Sequence, residues 1–167
     1  LFIFLALICK EDVSLLVVMI GLYACLAHRR WRLGFLTVAI GVLWFYGTVY
    51  LIIPYFRPGG SGSAYLKYYQ GLGNNPLEIA FTFLTRPAFF LSVVLSAENV
   101  QALLALLLPF AFLPLPGLPT LLLASPALAI SLLSANPLTH QLEKYHYAAP
   151  IVPFVALAAV YGTATLA

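Results

Sequence analysis

The chain has 167 residues, of which 63% are hydrophobic and only 8% are charged. A soluble domain carries roughly 25% charged residues, so this composition excludes an ordinary soluble fold. The formal net charge of +3 is too small and too dispersed for a nucleic-acid-binding surface, and two cysteines within apolar runs indicate neither a disulfide nor a metal site.

The apolar residues occur in continuous runs, and about 20 such residues are what a helix needs to cross the hydrocarbon core of a bilayer. Lipid offers no partners to backbone groups, so membrane segments are helices or closed barrels, and these runs lack the alternation of a barrel. The sequence therefore predicts an all-α protein, a polytopic transmembrane helix bundle with an outer-face interfacial or broken helix. One domain in contact with the lipid bilayer is expected over residues 1–167.

The N-terminal part of the chain sets the predicted orientation. Residues 1–9 are apolar but too short to span, which indicates a truncated span; the alternative is a cleaved signal peptide, although no basic region or cleavage site is present. A span is predicted over residues 13–27, followed by a short loop with Arg29, Arg30 and Arg32. Because short loops rich in arginine stay on the cytoplasmic side, this loop is predicted to be cytoplasmic.

The next span is predicted over residues 33–53, and it leads into an outer loop over residues 54–76. Residues 77–96 are apolar but contain Arg86 and Pro87, and an arginine at mid-membrane costs at least about 3 kcal/mol. They are predicted to form an interfacial or broken helix on the outer face. A kinked span is the alternative, and it would invert the orientation of everything that follows.

Further spans are predicted over residues 99–113, 120–134 and 149–167. Pro109 and Pro126 fall inside two of them, which indicates helices packed within protein, where neighbours satisfy the freed carbonyl groups. The last span ends without a polar tail. Together with the truncated first span, this is typical of an internal or C-terminal fragment of a longer protein.

Three polar clusters fall on the predicted outer face, where they would build one site. In the first, Lys10, Glu11 and Asp12 stand between two apolar runs. Glu11 or Asp12 is the candidate catalytic residue, as a general base or as a ligand of a divalent cation beside a phosphate. The alternative is a solvated interfacial cap, with Asp12 as the N-cap residue and Ser14 in the first helical turn.

The other two clusters lie in the outer loops before residues 77 and 149. With Lys10, they supply the candidate ligand-binding residues Arg57, Tyr68, Lys144, His146 and Tyr147. The last three combine a cation, an imidazole that titrates near neutral pH and a phenol. The alternative is an aromatic belt at the membrane interface with a snorkelling lysine. His140, nearby, is interpreted as a loop residue.

The chain carries the segments CKEDVSLLVVMIGLYACL, RRWRLGFLTVAIGVLWF, LIIPYFRPGG, YYQGLGNNPLEI, FLTRP and YHYAAPIVPF. Over nearly the whole chain they resemble a bacterial and archaeal family of polytopic membrane proteins with a domain of unknown function. That family is distantly similar to GT-C membrane glycosyltransferases, so the resemblance implies a prokaryotic cell-membrane protein with an outer-face site for a polyprenyl-phosphate sugar. In GT-C enzymes the catalytic carboxylate usually lies in a first outer loop near the N-terminus of the full protein, and the resemblance predicts that this loop precedes the present chain.

The sequence leaves three functions open, and it leaves open whether the chain is an enzyme. The first is a GT-C-like module that binds a lipid-linked phosphate sugar, with basic residues on the phosphate and tyrosines on the sugar. The second is a non-catalytic accessory subunit in a larger integral-membrane complex, and the third is a transporter. A catalytic protein should bring the three outer clusters around one polar cavity, whereas a packing subunit should show an apolar flank covered by other chains.

Overall fold

The structure, a computed structural model, describes residues 2–56, 66–69, 71–142 and 144–166. Its α-helices are α1 (Phe2–Cys9), α2 (Val13–Leu26), α3 (Trp31–Tyr46), α4 (Ile53–Phe56), α5 (Pro76–Thr85), α6 (Pro87–Val94), α7 (Ala97–Leu107), α8 (Leu118–Leu121), α9 (Ser125–Leu132) and α10 (Val152–Leu166). No β-strand occurs in the described ranges. The all-α prediction is therefore confirmed for them.

The chain divides into two compact units. One contains Leu1–Ser63 with Leu123–Ala127, and the other contains Ala64–Leu122 with Leu128–Ala167. Helices α1 to α4 thus belong to the first unit, and α5 to α8 and α10 belong to the second.

Helices α2 and α3 of the first unit form a hairpin in which small residues make the contact. A Cβ atom on Gly34 would overlap the Sγ atom of Cys25 and would lie 2.7 Å from the carbonyl oxygen of Gly21. A Cβ atom on Gly41 would lie 2.8 Å from the carbonyl oxygen of Ser14. Gly34 and Gly41 are seven positions apart on α3, and Ser14 and Gly21 are seven positions apart on α2. At these residues the two backbones approach closely, as they do in packed membrane helices.

Helix α3 continues through a π-helical segment, Gly47–Ile52, into α4. The resulting helix, Trp31–Phe56, has 26 residues and a mean hydropathy of 2.0, and it is long and apolar enough to cross a membrane. It is the one such helix in the part of the chain that the structure describes, unless α5 and α6 together count as a second. The shorter apolar helical segments are Val13–Leu26, Ala97–Phe110, Leu118–Leu132 and Val152–Leu166.

Helices α5 and α6 cover most of the predicted interfacial segment, and they are bent by 105°. The break falls at the exposed residues Arg86 and Pro87. A proline at this position cannot donate to the preceding helix, and its ring disfavours helical geometry in the residue before it. The start of α5 is fixed by Asn75, whose side chain accepts a hydrogen bond from the backbone N–H of Glu78 at 2.9 Å. The location of this pair at a membrane interface stays a prediction.

Helix α10 of the second unit also packs through small residues. Val155 and Ala158 are fully buried, and a Cβ atom on Gly117 would overlap the carbonyl group of Ala158. A Cβ atom on Gly162 would likewise overlap the carbonyl oxygen of Leu113. This close packing places α10 against α8 and the turns that precede it.

Candidate functional site

A pocket of about 340 Å³ opens in the second unit beside α7. Its other wall is the 3-10 turn Pro137–His140, which contacts α7, and the residues that follow this turn. The lining residues are Glu98, Gln101, Ala102, Ala105, Pro137, His140, Gln141 and Lys144. Five of these eight residues are polar or charged. In a chain with few charged residues, the pocket therefore concentrates hydrogen-bonding groups and charge.

The helical repeat of α7 produces one wall of this pocket. Glu98, Gln101, Ala102 and Ala105 are separated by three, four and seven positions, a spacing that puts side chains on one helix face. The helix begins at Ser96, whose hydroxyl oxygen caps the backbone N–H of Asn99 at 3.4 Å. Glu98 in the first turn is favoured by the positive end of the helix dipole.

Asn99 ties three segments together below the pocket. Its side chain is 1% exposed, and Nδ2 donates to the carbonyl oxygens of Val93 at 2.8 Å and Leu132 at 2.7 Å. Its Oδ1 atom lies 2.6 Å from Nδ1 of His140. Because buried polar groups are stable only with partners, this amide fixes the ends of α6 and α9 to the pocket wall.

His140 is held from both sides of its ring. While Nδ1 faces Asn99, Nε2 lies 2.8 Å from the carbonyl oxygen of Ser134. The loop from Ser134 to His140 is closed by a local hydrogen bond, in which Asn136 Oδ1 accepts from the backbone N–H of Leu138 at 3.1 Å. The imidazole orientation is thus set by the protein before any ligand enters.

Among the predicted ligand-binding residues, Lys144 lines this pocket, while His146 and Tyr147 are not part of its lining. The rings of His146 and Tyr147 stack with centroids 4.5 Å apart, and Tyr145 lies 6.4 Å from Tyr147. These three residues form an aromatic cluster shortly before α10.

Tyr68, the ligand-binding residue predicted in the loop before α5, is not part of the pocket lining. The half-buried Tyr68 has the ammonium group of Lys67 5.0 Å from its ring centroid, and its carbonyl oxygen accepts from the backbone N–H of Ala135 at 2.7 Å. Arg57 lies outside the described residues.

The predicted catalytic cluster belongs to the first unit. Lys10 pairs with Asp12 at 2.6 Å, and the other carboxylate oxygen of Asp12 is buried without a hydrogen-bond partner in the described chain. Asp12 takes the N-cap position of α2 but makes no capping hydrogen bond with its side chain, and the hydroxyl group of Ser14 donates to the carbonyl oxygen of Glu11. One cavity that holds these carboxylates together with Lys144 stays a prediction.

The described ranges contain no group of three or more His, Cys, Asp or Glu side chains that could hold a metal ion. A divalent cation at Glu11 and Asp12 is therefore a prediction that rests on the sequence alone.

The sequence interpretation did not single out Glu98, Asn99, Gln101 or Gln141, and it treated His140 as a loop residue. A signal was nevertheless present. The segment ENVQ puts three polar side chains at the start of a long apolar run, where lipid would not favour them. The hydrogen bond of Asn99 to His140 joins residues 41 positions apart, so a single sequence could not reveal it.

A stripe of large apolar side chains is exposed along α3. Leu33, Leu36, Ile40 and Leu43 are all exposed, Leu43 by 71%, and their spacing puts them on one helix face. Soluble monomers rarely expose apolar patches of this kind, because water disfavours them. The stripe is suited to contact with lipid or with other apolar helices.

Comparison with known proteins points to the same environment. No curated protein and no solved structure matches the chain. One family model does match, and its match extends over residues 1–167. The chain therefore belongs to the family described as predicted membrane protein (DUF2079).

Proposed function

We propose that the chain is a multi-pass protein of a prokaryotic cell membrane that binds the head group of a lipid-linked phosphate sugar. The observation that carries this proposal is the pocket of the second unit, where Lys144 shares the lining with Glu98, Gln101 and Gln141. A family of membrane proteins and a polar pocket in an otherwise apolar chain together favour an amphiphilic ligand.

The chemistry of the lining suits both parts of such a head group. The exposed ammonium group of Lys144 can donate charge-assisted hydrogen bonds to a phosphate. The amide groups of Gln101 and Gln141 donate and accept, and the carboxylate of Glu98 accepts, which is what sugar hydroxyls require. We therefore expect the phosphate to lie near Lys144 and the sugar to lie near Glu98.

The same proposal includes the clusters predicted from the sequence. Arg57, Tyr68, His146 and Tyr147 are proposed as further contacts to the head group, and Lys10 as a second phosphate ligand. Glu11 or Asp12 is the proposed general base or cation ligand, as in a GT-C-like module. The family match supports membrane association, and the catalytic role rests on the sequence pattern alone.

The multi-pass arrangement is proposed from the apolar helices. Helical segments lie over the predicted spans, namely Val13–Leu26, Trp31–Phe56, Ala97–Phe110, Leu118–Leu132 and Val152–Leu166. Their apolar composition would be unfavourable in water, and their internal hydrogen bonding satisfies the backbone in lipid.

The orientation can be tested by cysteine labelling in intact cells. In a background without Cys9 and Cys25, we expect a membrane-impermeant thiol reagent to modify cysteines placed at Lys67 and Lys144 but not one at Arg30, because arginine-rich short loops stay cytoplasmic. Permeabilised cells serve as the control, since all three positions should then react. Modification of the Arg30 position in intact cells would reverse the proposed topology.

Ligand binding can be tested with a short-chain polyprenyl-phosphate sugar and the purified chain in detergent. Lys144→Ala is expected to weaken binding about 10- to 100-fold, the range for losing a hydrogen bond to a charged group. Arg86→Ala is the matched control, because it removes an exposed positive charge in the same unit and away from the pocket lining. The corresponding polyprenol without phosphate should bind both proteins equally weakly. Equal affinity of the two variants for the phosphate sugar would contradict the proposal.

A second candidate function is favoured by the exposed stripe of α3. An accessory subunit would use Leu36 and Leu43 to pack against partner helices, which is the alternative to lipid contact. Purification from cells at the native expression level distinguishes the two functions. Stoichiometric recovery of the same membrane proteins with the intact chain, lost when both leucines are replaced by lysine, would favour the subunit.

A further inference from the structure

The proton positions on His140 follow from its two partners. Nδ1 lies 2.6 Å from the Oδ1 atom of Asn99, and Nε2 lies 2.8 Å from the carbonyl oxygen of Ser134. Both partners are oxygen atoms that can only accept. A neutral imidazole has one N–H and would satisfy only one of them, whereas an imidazolium has two N–H groups and satisfies both.

The orientation of the Asn99 amide is fixed independently of His140. Its Nδ2 atom donates to the carbonyl oxygens of Val93 and Leu132. Rotating the amide by half a turn would place Oδ1 against these two carbonyl oxygens, and both hydrogen bonds would be lost. The rotation would gain only one hydrogen bond, from Nδ2 to Nδ1 of a neutral His140. Oδ1 therefore faces the imidazole.

We propose that His140 is held as an imidazolium and provides a fixed positive charge in the pocket, so that binding of an anionic head group is coupled to one proton. This inference rests on the proposed function of the same pocket. Both ring nitrogens are used by the protein, so His140 acts through its charge, while Lys144 makes the direct contact. His140 is thus a positioning and charge-setting residue.

Among the described residues, two other charged side chains line the same pocket. Glu98 on α7 favours the positive charge on His140, and Lys144 on the opposite wall opposes it. Asn99 and Ser134, which touch the ring, are neutral. The proton is therefore held mainly by the two acceptor oxygens, and an approaching phosphate adds a further attraction.

The consequence for binding has a definite sign. As the pH rises and His140 loses its proton, the pocket loses one positive charge. One nitrogen of the ring then carries a lone pair that faces the oxygen atom of Asn99 or of Ser134. Affinity for a phosphate sugar is expected to fall by at least about tenfold, the size expected for one unit charge within about 12 Å at an effective dielectric constant of about 20. A phosphodiester probe keeps its single negative charge between about pH 5 and pH 9, so it does not itself contribute to a pH dependence in the range in which histidines respond or just above it.

The first test observes the protons directly. The chain contains three histidines, at positions 28, 140 and 146, and replacing each in turn by glutamine assigns the ring signals in a ¹⁵N spectrum of the histidine-labelled protein in detergent. We expect both ring nitrogens of His140 to remain protonated at a pH at which free histidine in the same buffer has become neutral. A His140 ring that loses its proton together with free histidine would overturn the inference.

The second test measures affinity for a short-chain polyprenyl-phosphate sugar between about pH 6 and pH 9, a window that extends above the range of about pH 5 to 8 in which histidines ordinarily respond. The unchanged chain and His28→Gln should lose affinity as the pH rises, and His140→Gln should bind weakly at every pH. Binding that is strong and independent of pH, with a neutral His140 in the spectrum, would refute the proton coupling and leave the proposed function intact. An imidazolium in the spectrum without binding at any pH would refute both the head-group function and its proton coupling.

Discussion

Replacement of Asn99 by leucine is expected to unfold the second unit under conditions in which the unchanged chain stays folded. Leucine has a similar size but removes all three hydrogen bonds, which leaves the carbonyl oxygens of Val93 and Leu132 and the ring of His140 without this partner. The carbonyl oxygen of Val93 keeps the backbone N–H of Ser96 as a partner at 3.2 Å, so two groups are left unpaired. Each buried group left unpaired costs about 1–3 kcal/mol, so the loss is about 2 kcal/mol or more. The midpoint of thermal unfolding in a mild detergent, followed by circular dichroism, measures the effect.

Gln101→Leu provides the matched control, because it makes the same chemical change two positions along the same helix. Gln101 is exposed on the pocket wall, so this change is expected to alter the free energy of unfolding by no more than about 0.5 kcal/mol. If Asn99→Leu and Gln101→Leu unfold at the same temperature, the network around Asn99 does not hold the second unit together.

The helical class was predictable because apolar runs and local capping signals act over a few residues. The turn within the run 99–113 was not predictable in the same way. The helix ends at Phe110, and Ala111 and Phe112 adopt left-handed backbone angles, with φ of 49° and 59°. Apolar composition reports how favourably a segment partitions into lipid, and it does not report where its backbone turns.

The candidate site was only partly predictable for a related reason. Lys144 was identified because it stands among aromatic residues in a short polar loop. His140 and Asn99 were not identified, since their importance comes from hydrogen bonds between residues 33 to 41 positions apart. The contact of α2 with α3 was also not predicted from the sequence, for a different reason. Its two glycines on α3, Gly34 and Gly41, are seven positions apart, whereas the familiar dimer motif spaces glycines four positions apart.

The hairpin of α2 and α3 yields the second large effect, because two glycines on one helix are expected to respond in opposite directions. Gly34→Ala puts a methyl group into Cys25 and the backbone of Gly21, so the helices must separate. Overpacking of this kind costs about 1–3 kcal/mol. Gly47→Ala meets no atom within 4 Å and should raise the helix stability by up to about 1 kcal/mol. Unfolding in increasing denaturing detergent compares the two variants.

The native cysteines report the same separation of α2 from α3 without any introduced cysteine. Cys25 is 3% exposed at the contact with α3, whereas Cys9 is exposed on α1. In the unchanged chain and in Gly47→Ala, a maleimide reagent should modify Cys9 and spare Cys25. In Gly34→Leu, whose side chain is too large for the contact, Cys25 should react as well. Protection of Cys25 in Gly34→Leu would mean that the hairpin tolerates the larger side chain, and that close approach at Gly34 does not hold α2 against α3.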